Sequence, residues 1–272
     1  MNYWQTNFDK VRDEYAPVFN AIERALAKFD IDFYLIGAQS RDVWTTHLDI
    51  DRRKTKDIDY SVFINDHGTW QKLNEYLMET EKFERDKGMP YRFYLGEFTI
   101  DLIPFGGIAN NDEVVLENPK MELSVYGCTE VTEEAVVIHG KYKVVTLPGL
   151  CIMKLIAFGE KPERLKDWED LLFILRNYHE IAGAELFEGK HDDLITDELD
   201  FPVASARLLG RNMQSILNKN ANLKQLIIAN LTNKLQKFSP ADIDQMYEVR
   251  DANDKQVETL KLVSELIKGI KD

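Results

Sequence analysis

Apolar residues recur at helical spacing between residues 5 and 28, at Val11, Tyr15, Val18, Phe19, Ile22 and Leu26, and predict an amphipathic helix. The pattern then changes. Phe33-Tyr34-Leu35-Ile36 is a short apolar run that stops at Gly37, as a buried strand does, and a helix is expected at once through Asp42-Val43-Trp44. Residues 58–64 read as a second strand. Trp70, Leu73, Tyr76 and Leu77 mark the apolar side of a helix over residues 70–79. Two further strands, 91–95 and 98–103, flank Gly96-Glu97 as a hairpin turn, and 135–138 with 142–145 form another hairpin around His139-Gly140-Lys141. Residues 107–130 give no clear period.

After Leu147-Pro148-Gly149 only helical periodicity is left, over 150–178 and near 203–218, 222–237 and 254–269. Ser239-Pro240 has the form of a helix start, with a capping hydroxyl and a proline in the first turn. The acidic stretch 188–200 reads as a solvated connection. These patterns predict an α/β (α+β) chain in two domains. Residues 1–147 would hold a mixed β-sheet with flanking helices, and residues 148–272 an α-helical domain.

Composition narrows the classes. Of 272 residues, 44% are hydrophobic and 30% charged, which is ordinary for a globular protein. No apolar run reaches the ~20 residues of a membrane span, and the first residues lack a signal-peptide pattern, so a cytoplasmic location without membrane contact is expected. Cys128 and Cys151 are too few for a disulfide framework, and the five histidines show no zinc spacing. A net charge of -13 argues against binding long DNA, although Arg52-Arg53-Lys54-Thr55-Lys56 is a local basic patch. Clustered carboxylates have a different physical use, since they hold divalent cations that in turn hold phosphates.

Three places carry candidate chemistry. Asp57 and Asp59 stand two apart at the head of a predicted strand, so both carboxylates project from one face while Ile58 points to the other. Asp-x-Asp also occurs in plain loops and strand starts. Asp101 interrupts the apolar run Thr99-Ile100-Asp101-Leu102-Ile103, where burying an unpaired charge is expensive; an edge strand would instead leave it in water. Were its strand adjacent to that of Asp57 and Asp59, three carboxylates would form a site for one or two Mg²⁺ (or Mn²⁺) ions. Ile36-Gly37-Ala38-Gln39-Ser40 is a strand-to-helix turn, suited either to a phosphate at a helix N-terminus or simply to a capping Ser40.

The succession Gly-x-x-Ser at residues 37–40, Asp-x-Asp at 57–59 and a lone Asp101 resembles the DNA polymerase β-like nucleotidyltransferase superfamily. Arg53-Lys54-Thr55-Lys56-Asp57-Ile58-Asp59 is similar to the AbiEii-like nucleotidyltransferases, the toxins of type IV toxin–antitoxin pairs, and their uncharacterised relatives. Lys154-Leu155-Ile156-Ala157 and Lys166-Asp167-Trp168-Glu169-Asp170 resemble two segments of the same family. The resemblance spans about residues 31–178. It departs at Gly37-Ala38, where the superfamily usually has two glycines.

The resemblance implies a transferase that moves a nucleoside monophosphate from an NTP to an acceptor and releases pyrophosphate. Asp57, Asp59 and Asp101 would be its metal and catalytic residues, with Asp101 also a proton acceptor. Gly37 and Ser40 would hold phosphates, Lys154 would neutralise the departing pyrophosphate, and Arg53, Lys166, Asp167 and Asp170 would complete the nucleotide site. The acceptor would be a tRNA end, as in toxin relatives, a small molecule or a protein, and a cognate antitoxin would be a partner. Two alternatives remain open on the residues themselves. One is a non-catalytic interaction subunit with this fold. The other is a structural ion-pair cluster of the three aspartates with Arg52, Arg53 and Lys56.

Overall fold

The computed structural model describes residues 8–45, 55–195, 200–237 and 252–272. The described residues up to Thr146 form one compact unit and those from Leu147 onward form another. The first is mixed α/β and the second is helical.

In the first unit the opening helical segment is two helices, α1 (Phe8–Glu14) and α2 (Ala16–Phe29). Pro17 in the first turn of α2 explains the break at Tyr15, because proline has no N–H to continue the ladder and is at ease only in a first turn. Next come β1 (Phe33–Ile36), α3 (Gly37–Thr45), β2 (Asp57–Phe63) and α4 (His67–Glu79). Asp66 caps α4 by accepting the Thr69 backbone N–H at 2.8 Å.

The sheet continues through β3 (Glu84–Arg85), β4 (Arg92–Leu95) and β5 (Phe98–Phe105), with Leu95 and Phe98 paired across the two-residue turn. The segment without a clear period holds a hairpin, β6 (Glu113–Leu116) and β7 (Met121–Ser124), and a short helix, α5 (Cys128–Glu133). Four-residue strands with only Val114 and Leu116 buried are too short to show a period. Finally β8 (Val136–Ile138) and β9 (Tyr142–Val144) pair as expected.

Seven strands form one mixed sheet in the order β3-β4-β5-β2-β1-β9-β8, while β6 and β7 stand apart. β2 runs parallel to β5 and antiparallel to β1, so it is central and protected on both sides. Ile58, Tyr60 and Val62 share its core face, where Phe19 of α2 meets Tyr60 edge-on. Asp57, Asp59, Ser61 and Phe63 therefore point to the other face.

In the second unit residues 150–178 belong to two helices, α6 (Leu147–Glu160) and α7 (Leu165–Ala182), because Pro162 ends the first. They are followed by α8 (Phe201–Leu217), α9 (Ala221–Lys237) and α10 (Ala252–Lys271). The described residues of the acidic connection are mostly exposed, as its composition suggests, and a few contacts hold it. Leu194 is buried, Asp193 pairs with Arg211, and Asp200 caps α8 by accepting from the Val203 N–H at 3.0 Å. The helix start at Ser239-Pro240 lies outside the described residues. Among those described, no helix is long and apolar enough to cross a membrane.

α8 and α10 approach closely at two glycines. A Cβ on Gly269 would lie 2.0 Å from the Arg207 carbonyl oxygen, and one on Gly210 would lie 2.3 Å from that of Leu266. Next to this crossing Asp272 accepts from Arg207 at 2.7 Å and from Arg211 at 2.6 Å. Those two guanidinium groups, Arg207 foremost, hold its carboxyl at about 2.

Gly269→Ala is therefore expected to destabilise the protein. Alanine favours a helix by ~1 kcal/mol, but forcing a methyl against backbone costs about 1–3 kcal/mol or more. A urea midpoint at or above the wild-type value would contradict the close approach. The Asp272 contribution has a definite sign: a carboxyl lowered on folding stabilises above its ordinary 3.8, and the effect fades as pH falls toward about 2. Since Asp272 is partly solvated, its contribution is about 1 kcal/mol. Asp272→Asn should lower stability at neutral pH by that amount and flatten the stability–pH curve over the same window.

Candidate active site

Asp57 opens β2, and its position is fixed from below. Its N–H donates to Thr55 Oγ1 at 3.0 Å, and the Thr55 carbonyl accepts from the Tyr15 hydroxyl at 2.7 Å. That hydroxyl in turn accepts from Gln39 Nε2 at 2.9 Å. Burial raises the Tyr15 pKa first of all, and the negative charges of Glu14, Asp42 and Asp57 raise it further against the opposing Gln39 bond. Tyr15 thus remains a phenol that donates. Its break between two helices, which the periodicity hides, is what lets it reach the strand.

Asp59 and Asp101 are register partners on the parallel strands β2 and β5. Asp59 pairs on its other side with Ile36 of β1, and Asp101 pairs with Arg92 of β4. Arg92, Asp101 and Asp59 therefore form a row across three strands on one face, and the row ends at Gly37, which follows Ile36. Asp57 stands on the same face, two residues along β2, and is exposed, whereas Asp59 and Asp101 are half-buried.

Both ends of the row are specific. Arg92 donates through Nε and Nη2 to the two oxygens of Asp101, each at 2.7 Å, a bidentate pair that raises the Arg92 pKa further. At the other end Gly37 has φ of +65°, and a Cβ there would lie 2.0 Å from Asp59 Oδ2. The Asp59 carboxylate thus sits against the first residue of α3, at the end of the helix that favours negative charge.

Arg92 belongs to no motif in the sequence. Counting back from the two-residue turn at Gly96-Glu97 places Arg92 opposite Asp101, so the signal lay in the hairpin register. Among the described residues no three His, Cys, Asp or Glu side chains converge as a metal-holding group. Asp59 and Asp101 stand side by side, but the oxygens of Asp101 are turned to Arg92.

Ser40 departs from its expected role. It is fully buried, and its hydroxyl donates to the Val145 carbonyl at 2.6 Å, which also accepts from Trp44 Nε1 at 2.7 Å. Ser40 fastens α3 inside its unit and in this arrangement presents no hydroxyl to a phosphate. Arg52, Arg53 and Lys54 lie outside the described residues. Lys56 pairs with Glu97, not with the aspartates.

In the helical unit Lys154 of α6 lies 3.0 Å from Asp167 Oδ1 and 2.7 Å from Asp170 Oδ2, both on α7. Arg164 holds the other Asp167 oxygen at 3.1 Å. Burial opposes the Lys154 charge, yet the two carboxylates outweigh it and raise the pKa. The ammonium is therefore kept charged and already neutralised, so any further anion would compete with two aspartates. Lys166 is exposed. Cys151 and Cys128 are buried free thiols, and burial raises the Cys151 pKa.

Neither a family model nor a curated protein sequence matches this chain. Two solved structures are similar to it. A solution structure of the antibiotic-resistance factor ANT(2'')-Ia is 16% identical, with 64% of this chain and 85% of that one covered at a TM-score of 0.37. A crystal structure of ANT(2'')-Ia in complex with adenylyl-2''-tobramycin is 15% identical, with 69% and 94% covered at 0.38.

The contact at Gly37 gives a sharp expectation. Gly37→Ala should destabilise by at least about 1–2 kcal/mol from the left-handed backbone alone, and more because Asp59 must move. In an Asp59→Ala background only the backbone part should remain. Equal penalties in both backgrounds, measured by urea unfolding, would show that the Asp59 contact is unimportant.

Proposed function

We propose that this chain is a nucleotidyltransferase that moves a nucleoside monophosphate from an NTP to an acceptor hydroxyl, releasing pyrophosphate. Its active site would be the acidic face of β2 and β5. The observation that carries this reading is the pairing of Asp59 with Asp101 on adjacent parallel strands, with Asp57 on the same face. The family resemblance at residues 37–40, 53–59 and 101 points the same way. On this reading the mixed α/β unit is the catalytic domain.

The donor chemistry suits a divalent cation. Hard carboxylate oxygens from Asp57 and Asp59 fit Mg²⁺ or Mn²⁺, which commonly takes one or two carboxylates and fills its remaining positions with water and substrate phosphate. When bound, such an ion supplies charge neutralisation to the phosphates of the reacting NTP. Asp101 would accept the proton of the acceptor hydroxyl on a carboxylate oxygen freed from Arg92. Arg92, still bonded to the other oxygen, would keep that carboxylate aimed along the row. The Gly37 turn would hold Asp59 in place, since no side chain intervenes.

The net charge of -13 favours a small-molecule or protein hydroxyl as acceptor. A tRNA acceptor would draw on the basic residues 52–56, and of these Lys56 is already paired with Glu97. A second reading has an observation of its own: the bidentate Arg92–Asp101 pair suits a purely structural ion pair in an inactive relative.

The decisive experiment incubates the purified protein with Mg²⁺ and each α-³²P-labelled NTP, offering total tRNA, small-molecule hydroxyl compounds or cell lysate as acceptor. Asp57→Ala and Asp59→Asn should reduce label transfer at least ~100-fold, the scale on which charge stabilisation at a phosphoryl centre operates. The labelled species names the acceptor class. If no acceptor is labelled and NTP binding is the same with and without metal, the structural ion-pair reading stands instead.

A further inference from the structure

A cleft lies on the opposite side of the sheet from the acidic row. Arg85 of β3 pairs with Phe93, which pairs with Ile100, which pairs with Ile58, so Arg85 belongs to the core face and not to the face of Asp59. At this edge α4 and the β6–β7 hairpin leave an opening of about 510 Å³, well within the range of small-molecule sites. Trp70, Met78, Val115 and Leu116 give it apolar walls.

Two polar groups in these walls are unusual. Asn74 is 5% exposed, and its Oδ1 is buried with no hydrogen-bond partner among the described residues. Leaving such a carbonyl unpaired costs stability that an apolar residue there would not. Arg85 donates through Nε to the Pro90 carbonyl at 3.3 Å and through Nη2 to that of Glu117 at 3.1 Å. Two backbone carbonyls fix its direction but bring no negative charge, and no carboxylate pairs with it among the described residues. Burial accordingly lowers its pKa. Glu75 and Glu117 stand exposed at the rim, with Glu75 already accepting from Gln71.

We propose that this cleft binds a small molecule with a flat apolar body, one anionic group (carboxylate or phosphate) that pairs with Arg85, and a hydrogen-bond donor that meets Asn74. The apolar body would lie against the α4 and β6 residues that line the opening, Met78 and Val115 being the more exposed of them. The anion answers an oriented cation that lacks a counter-charge. The donor satisfies a carbonyl that the fold leaves unpaired. The site is independent of the acidic row, and its test needs no nucleotidyl transfer.

Three probes are titrated into the full-length protein and followed by backbone amide NMR: 6-amino-naphthalene-2-carboxylate, its neutral carboxamide, and 6-amino-naphthalen-2-yl phosphate. The carboxylate or the phosphate should saturate a single site and shift amides of α4 and of residues 113–124, and the tighter of the two identifies the anion. The neutral carboxamide should bind at least tenfold more weakly. Arg85→Met should erase that difference. Asn74→Leu should weaken the anionic probe at least tenfold while leaving the thermal midpoint equal to or above wild type. Met78→Trp, which fills the opening from a partly exposed position, should abolish binding in a folded protein. Equal affinity for acid and carboxamide overturns the proposal, as does unchanged binding in Asn74→Leu or Met78→Trp. So does the absence of any binding at millimolar probe.

Discussion

The parallel pairing of β2 with β5 sets two carboxylates directly beside each other, and much of the first unit answers that placement. At a strand spacing of about 5 Å, two such charges repel by roughly 3 kcal/mol at an effective dielectric of about 20. Arg92 takes both oxygens of Asp101 on one side. On the other, Asp59 rests against Gly37 at the start of α3, where the helix end favours negative charge.

The surroundings of the row are held by contacts that leave it open. Tyr15, Thr55 and Gln39 tie the entry of β2 to two helices, so the backbone before Asp57 is fixed by hydrogen bonds and its carboxylate is left exposed. Ser40 and Trp44 lock α3 to Val145 from beneath. The face of Ile58, Tyr60 and Val62 supplies the hydrophobic support, and the polar face is carried on it. In the helical unit Lys154, Asp167, Asp170 and Arg164 form a self-neutralised cluster between α6 and α7. The Gly210 and Gly269 crossing brings α8 and α10 into backbone contact.

What the chain determined by itself is what depends on near neighbours. Alternation and helical spacing placed β1, β2, β4, β5 and most helices. The two-residue turn at Gly96-Glu97 set the register of β4 on β5. The spacing of Asp57 and Asp59 put them on one face because successive side chains of a strand alternate. Chain-local effects also explain the divided helices, since Pro17 and Pro162 break segments whose apolar spacing runs on.

Only the tertiary structure decided which distant segments meet. That β5 lies beside β2, in the register that joins Asp59 to Asp101, follows from packing of the whole sheet. So does the burial of Ser40, whose sequence setting suits a helix cap or a phosphate contact. So does the commitment of Lys56 to Glu97, and so does the closure of Lys154 by two carboxylates from the next helix. A side chain's local spacing sets the direction it faces. Its partner is set by strand order and helix packing, which are won by burying apolar surface over the whole unit, and no short window of sequence contains that sum.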